Sequence, residues 1–464
     1  MASSFGGINT ALTSLYAQRR GLDVTGQNIA NANTEGYTRQ RVSMQSQVGA
    51  TTASMYAKTD GLGTGVAVSD VQRLRDDFLE NRGRTEHGVN ALLANQKATY
   101  TSIEDAFAEP SDTAIAAQLR DMWGSWNDVA NNPQLAAPRS AVIQQSATVA
   151  DQMNAAHESL ARQWKQNEVQ MAGYVDEVNG TARSIAQLND SIVKANASGL
   201  AINEVEDRRD LLAMKLAELT GATAAKRENG TMDVFIGGDP LVTGTVVREV
   251  DFAGASRLED QASNPVALVW KNVPDPAARR IEAGGTMGSM VDTMTRIIPG
   301  LSGELDSVAN NMINTVNALH RNGHSVDGST GLDFFGRKAD GSIEVLVNDP
   351  DQVAVAATAG TLDNSVADAI ADIGDSSGGP DREYESMIGR LGVDAQGTAR
   401  RSEIQSVVTE QIDAARESES GVNLDEEMTN LLTYQRGYEA ASRVLTTIDS
   451  MLDQLINRTG LVGR

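Results

Sequence analysis

The two ends of this chain carry matching hydrophobic repeats, and that match limits what the rest can do. In residues 1–33 the large apolar side chains are Phe5, Ile8, Leu12, Leu15, Leu22 and Ile29. With Arg19 and Gly26 filling two beats, the spacing alternates between three and four, which is the seam of a heptad helix. Residues 424–456 repeat the pattern through Leu424, Met428, Leu431, Tyr438, Leu445, Ile448, Met451, Leu452, Leu455 and Ile456. Two successive three-residue steps between Tyr438 and Leu445 overwind such a seam locally without ending it. Each end is therefore half of a coiled coil in need of a partner. The plainer alternative is an ordinary helix pair closing a globular domain.

Composition narrows the rest. At 464 residues the chain has room for two to four domains, and its 40% apolar content is enough for a real core. Aromatic residues make up only 4%, which argues against a large β-sandwich. Without a single cysteine, disulfides, thiolate chemistry and cysteine-built zinc sites are excluded. The first residues lack the basic patch and apolar run of a signal peptide, and no stretch has the ~18 apolar residues of a membrane span. A net charge of −23 speaks against nucleic-acid binding. The charge is uneven: residues 1–60 carry net +2 and residues 416–464 net −3, so nearly all the acidity lies between them. Near-neutral ends that crowd together and an acidic body that faces water would produce that distribution.

Between the ends, Asn31, Asn33 and Gly36 stop the first helix and open turns. Gly61–Val66 is a glycine-spaced turn into a strand at Val66, Val68 and Val71; it lacks the Lys-Ser/Thr of a phosphate loop. Helical periodicity starts at Asp76 and runs through Tyr100, Ile103 and Phe107. Residues 109–112 stop that helix, and a second follows over 113–130. A third extends from about Ala137 to Ala197, roughly 90 Å at ~1.5 Å per residue. That length implies a rod-like bundle, with Gly173 and Gly180 as its weak points. A short helix over 203–219 ends at Gly221. Residues 222–283 read as a β-rich insertion. Helix returns at Gly288, residues 323–400 are rich in Gly, Asp and Ser, and a last helical run begins near Asp381 with loops around Gly389–Gly397. The pattern predicts a mainly α, elongated, multi-domain helical rod with paired terminal coiled-coil helices. Its three parts are residues 1–70 with 419–464 as the terminal domain, 71–221 with 284–418 as a helical body with small β elements, and 222–283 as the β-rich insert.

The residues give no catalytic constellation. His320 and His324 have the i, i+4 spacing of two metal ligands on a helix, but Arg321 stands where a metallohydrolase needs a glutamate, and the helix should be ending there. Capping of the helix C-terminus accounts for them better. Asp425, Glu426 and Glu427 follow Asn423 at the start of the last helix, where acids favour the dipole. The residues therefore predict no enzyme, no cofactor and no metal.

Asn28–Gln40 resembles the signature shared by rod, hook and junction proteins of the bacterial flagellum, which often has Pro where Glu35 stands. The positions that carry it include Asn31, Asn33, Gly36 and Tyr37. More specific pieces resemble the hook-associated FlgK family: Gly65–Arg73 with Asp76–Leu79, Asn131–Pro133 with Arg139, Asn203 with Asp207–Leu211, Asp233–Gly244, Gly285–Val291, His320–Phe335, and Ser420–Glu427 with Asn423 and Asp425. Together they cover most of the chain, and residues 245–280 and 350–400 match least. The resemblance implies a structural part of the flagellum, a closed ring of about eleven subunits between hook and filament. It implies hook protein and a distal hook-associated junction protein as neighbours. It implies export through the flagellar type III channel without a cleaved signal, a cytoplasmic chaperone on roughly Leu424–Ile456, and terminal helices that order on assembly. Another axial component, a distal junction or hook protein, is the nearest rival, and a metal-dependent hydrolase a remote one. The residues agree with ordering on assembly, because a few apolar anchors facing one partner offset the entropy of fixing a helix poorly, whereas a ring of neighbours covers every side.

Overall fold

The computed structural model describes residues 4–47, 63–274, 279–361 and 363–457. The architecture is mainly helical. Helix α1 spans Ser4–Ala30. An antiparallel hairpin of β1 (Gln40–Gln47) and β2 (Gly65–Arg73) follows and lies against it, with Gly65 beside Thr10 and Thr13. Helices α2 (Asp77–Phe107), α3 (Ile115–Asn131), α4 (Ala136–Ala197) and α5 (Asn203–Thr220) form much of the body. The β-rich stretch contains an antiparallel sheet of β3 (Thr223–Lys226), β4 (Met232–Ile236), β5 (Asp239–Thr243) and β6 (Val246–Val247), and a pair of β7 (Val250–Ala253) and β8 (Ala267–Trp270). Then come α6 (Gly285–Asp292) and α7 (Ile298–Asn322), short strands β9–β12 between His324 and Ala356, α8 (Ser365–Ala371), α9 (Pro380–Ser420) and α10 (Leu424–Asn457).

Local chemistry explains the boundaries. The Asp76 carboxylate accepts from the N–H groups of Phe78 and Leu79 at 2.7 and 3.2 Å and caps α2. Gly221, at φ +68°, closes α5 in the left-handed conformation. It lies so near Gly284 that a Cβ would come within 2.9 Å of that backbone, so α5 and α6 cross where both chains are bare. Helices α6 and α7 are joined by a π turn, Thr293–Ile297, and the Trp164 indole donates to the Met294 carbonyl inside it at 2.9 Å.

Helix α4 runs unbroken over 62 residues, about 93 Å at ~1.5 Å per residue. Gly173 and Gly180 sit inside it with open space beside them. Each costs about 1 kcal/mol against Ala, and packing on the opposite face at Met171, Val175 and Val178 holds the helix together. The loops expected around Gly389–Gly397 are likewise absent: α9 is continuous there, with Tyr384, Met387, Leu391 and Ala395 buried.

Two hydrophobic cores sit along α4. One gathers Trp126, Trp164, Phe334, Phe335, Tyr384 and their neighbours around the first half of the helix. The other joins Met171, Val178 and Ile185 of the second half to Leu216, Met287 and Met290 and to strand residues Val234, Val242, Leu268 and Trp270. The strands within 222–283 therefore complete a core that is also built from α4, α5 and α6. Asparagines fasten strands to helices. Asn154, Asn179 and Asn189 of α4 each exchange two hydrogen bonds with the backbone of one strand residue, Ile343, Val250 and Met232, at 2.8–2.9 Å. Asn317 of α7 does the same with Phe335. A carboxamide presents a donor and an acceptor side by side, as a strand does, so it satisfies an edge that a helix covers.

Candidate assembly interface at the paired termini

Helices α1 and α10 lie antiparallel, and their contact face is made of small residues on α1. A Cβ on Gly21 would fall 2.7 Å from the Tyr434 ring, and one on Gly7 3.0 Å from the Ile448 side chain. A Cβ on Gly437 would meet Gln18 at 2.8 Å. Asn28 meets Glu427 across the same face. Positions 7, 21 and 28 thus face 448, 434 and 427, so each heptad forward on α1 matches one backward on α10. The same step sets Ser14 opposite Ala441, which is buried.

The residues expected to form the seam are placed differently from one another. On α1, Ile8, Leu15, Leu22 and Ile29 are half-buried and Leu12 is exposed, as are the bridging Arg19 and Gly26. Phe5 lies on α1, and its side chain is outside the described residues. On α10, Leu431, Leu445, Ile448 and Leu452 are half-buried, while Leu424, Met428, Tyr438 and Leu455 are exposed. The fully covered positions of α1 are Ala11, Ala17, Gly21, Val24, Thr25 and Asn28, none of which stands out by size. Their signal was small side chains at helical spacing. The pair leaves Leu12, Tyr16, Met428, Leu432, Val444 and Met451 between 38% and 64% exposed.

At its base the pair is bound to the body by a polar knot. The Asn28 carboxamide donates to the Gln40 carbonyl at 2.9 Å and to Glu427 at 3.0 Å. Its oxygen accepts from the Tyr37 hydroxyl at 2.9 Å and the Gln40 N–H at 3.0 Å. Arg39 reaches Glu427 at 2.8 Å and Glu426 at 2.7 Å, and its N–H donates to the Ser420 carbonyl at 2.9 Å. Asn423 caps α10 by accepting from the N–H groups of Asp425 and Glu426, whose side chains are exposed. In the turn, Asn31 donates to the Gln27 carbonyl and accepts from Thr34, while Asn33 is exposed. Gly36 takes φ +76°, facing Leu211 at 3.4 Å from where a Cβ would stand.

The knot continues into the body. The Thr38 N–H donates to Asp207 at 3.1 Å. Arg73 binds Glu206, Asp207 and Asp210 at 2.7, 2.7 and 3.0 Å. Arg75 bridges Asp210 and Glu80, and Arg416 bridges Glu80 and Asp413 at 3.1 and 2.8 Å. Burial, with Asp207, Glu204 and Glu427 nearby, pushes the Tyr37 phenol up to about 12, so it remains a donor to Asn28 at any working pH. Buried ion networks of this kind add little net stability over apolar packing, but removing one partner leaves a buried charge uncompensated and is costly.

His87 closes the network from α2. Its nitrogens sit 3.1 Å from Glu218 and 3.0 Å from Asp413. The hydrogen bond to Glu218 and then that to Asp413 raise its pKa against burial. A raised folded pKa contributes stability that is complete below the ordinary imidazole value of about 6.5 and is lost as the pH rises through the raised value. His87→Gln should therefore flatten the pH dependence of the melting midpoint. The parent's advantage over the variant should be largest under mildly acidic conditions and shrink toward alkaline ones. An equal gap at every pH would disprove it.

The first imidazole of the histidine pair is held on both sides by backbone groups. His320 is buried, its Nδ1 donates to the Leu332 carbonyl at 2.8 Å, and its Nε2 accepts from the Ala354 N–H at 3.1 Å. Both nitrogens are engaged, and burial lowers its pKa. Rather than capping α7, it ties the loop at Leu332 to the strand residue Ala354. Among the described residues, no group of three or more His, Cys, Asp or Glu is arranged to hold a metal ion, and no helix is long and apolar enough to cross a membrane.

This geometry, a helical body with its two chain ends paired, coincides with three matches to flagellar families. Residues 8–38 match the flagella basal body rod protein family and residues 415–458 the flagellar basal body rod FlgEFG protein C-terminal family. The chain is thus a flagellar axial protein, and its terminal pair is the part shared with rod proteins. Residues 100–335 match the flagellar hook-associated protein FlgK helical domain. Flagellar hook-associated protein 1 of Bacillus subtilis strain 168 is 30% identical over 100% of both chains, and that of Escherichia coli K12 is 25% identical over 97% of this chain and 99% of its own. The chain belongs to the flagellar hook-associated protein 1 (FlgK) family. The fold is similar to that of the flagellar hook junction protein FlgK of Burkholderia pseudomallei, with a TM-score of 0.64 at 14% identity over 73% of this chain and all of that one. The chain is a structural component of the bacterial flagellum.

Proposed function

We propose that this protein forms the junction between hook and filament, as a ring assembled through its terminal helices. The observation that carries this reading is the incomplete covering of the α1–α10 pair. Apolar side chains at Leu12, Met428, Leu432, Val444 and Met451 remain exposed on a pair whose inner face is already filled. Exposed apolar stripes on paired helices are docking surfaces for more of the same. In the assembled ring, of about eleven subunits by family resemblance, the terminal domain (residues 1–70 with 419–464) forms the inner tube. The helical body (71–221 with 284–418) and the β-rich part (222–283) lie outside it. Hook protein meets the ring on one side and the distal hook-associated protein on the other. The chain reaches that place through the flagellar type III channel without a cleaved signal, and a cytoplasmic chaperone covers roughly Leu424–Ile456 beforehand. Its role is geometric, and it needs no catalysis, cofactor, nucleic acid or membrane.

Deletion of the gene, followed by electron microscopy of the cells and assay of the medium, tests this reading. Complete hooks without filaments and flagellin monomers in the medium are expected. Normal filaments would overturn it.

A further inference from the structure

Apolar matching alone does not fix how far α10 lies along α1. Both helices repeat every heptad on the contact face, and α1 offers small residues at three successive beats, Gly7, Ser14 and Gly21. Slid by one heptad, the pair would mesh again once the Tyr434 ring or the Ile448 tip turned aside for the Ser14 Cβ, since a Cβ at the glycines now facing them would come within 2.7 and 3.0 Å. In one direction Ser14 would meet Tyr434 and Gly21 would meet Glu427. In the other, Ser14 would meet Ile448 and Gly21 would meet Ala441. What changes is the polar position. Asn28 is 1% exposed and Glu427 2%, and one N–H of the Asn28 carboxamide is satisfied by one oxygen of Glu427, whose other oxygen is held by Arg39. The first slip buries the Glu427 carboxylate against Gly21 with neither Asn28 nor Arg39 in reach. The second puts the Asn28 carboxamide against the Tyr434 ring and carries Glu427 beyond the end of α1 at Ala30. The first leaves a buried carboxylate unpaired, and the second leaves one buried N–H of Asn28 without its acceptor.

We infer that the Asn28–Glu427 contact is the register pin of the terminal helix pair: it selects one axial setting from several that the small-residue face would accept. A lone buried polar pair sets coiled-coil register in this way. Arg39 and Tyr37 are positioning residues for the pin. Arg39 holds the second carboxylate oxygen of Glu427 at 2.8 Å, and Tyr37 donates to the Asn28 oxygen at 2.9 Å. The same Asn28 carboxamide is paired with both backbone groups of Gln40, so the pin also ties α10 to the hairpin and body. Register in turn decides which exposed side chains of α1 stand beside which of α10, hence the shape of the surface offered to a neighbour. The inference concerns pairing within one chain and stands apart from the junction reading.

The chain has no cysteine, so introduced pairs report register directly. Three full-length double variants are oxidised at high dilution and scored for intrachain disulfide: S14C/A441C for the observed register, and S14C/Y434C and S14C/I448C for the two slips. The observed-register pair should form at least tenfold more disulfide than either slipped pair. Adding Glu427→Leu should bring the three within about threefold, while Glu427→Gln, which keeps an acceptor for Asn28, should preserve the preference. Melting of the helical body should be unchanged throughout. An unaltered preference in the Glu427→Leu background, the loss of all three disulfides there, or no S14C/A441C disulfide in the otherwise unaltered chain would each overturn the inference.

Discussion

Ile448→Asp should abolish assembly of this protein while leaving its body folded. Ile448 is half-buried against Gly7, where a Cβ on α1 would stand 3.0 Å from the tip of its side chain. An aspartate there would be half-buried without a partner, at a cost that neighbours packing around the pair in the assembly would raise. The loss falls on the pair and on whatever packs around it, because Ile448 belongs to neither hydrophobic core of the body. Leu15→Asp should act in the same way from the facing helix. In a deletion strain neither variant should restore filaments, while far-UV circular dichroism of each purified chain should keep the parent's main melting transition. A collapse of that transition would mean that the termini are part of the folding core and that the separation drawn here fails.

Trp126→Ala should do the reverse. The ring is fully buried in the core around the first half of α4, 5.2 Å from Phe334, which in turn packs 5.4 Å from His320. Truncating a buried tryptophan to alanine typically costs 3–5 kcal/mol, because the cavity it leaves closes only in part. The site cannot collapse easily here, since α3, α4 and the Phe334 segment are each held by other contacts, among them the Asn154 and Asn317 carboxamides. Denaturant unfolding should show the body's unfolding free energy falling by that amount. The S14C/A441C disulfide should still form under native conditions, because Trp126 makes no part of the terminal contact. A change under about 1 kcal/mol would mean that the core repacks around the gap.

Much of this organisation was legible in the sequence, and the exceptions share a cause. Large apolar residues at heptad spacing announced both terminal helices, and the turn from 3.6-fold to alternating periodicity announced the strands between residues 222 and 283. What size-based reading missed was the inner face of α1. At a close helix contact the covered positions are the smallest ones, so Gly21 and Ala17 are buried while Leu12 is exposed. Glycines misled a second time at Gly173, Gly180, Gly389 and Gly392, where local propensity is outweighed by apolar side chains packed on the other face of the helix. The polar knot was half visible. Asn28, Gly36 and Tyr37 fell in a recognisable signature, but nothing local says that Asn28 meets a glutamate 399 residues away. Carboxamides that stand in for a strand edge leave no periodic trace, so nothing in the sequence sets Asn154, Asn179 and Asn189 apart from helix-surface residues.

The central claim is one of position: a terminal helix pair placing this chain only where hook becomes filament. Immunogold electron microscopy of flagella tests it most directly, with an epitope tag inserted in the exposed segment between Thr358 and Ala359 and the tagged gene restoring motility to the deletion strain. The account predicts a single narrow band of gold at the boundary of hook and filament. Gold spread along the hook or along the filament would contradict it.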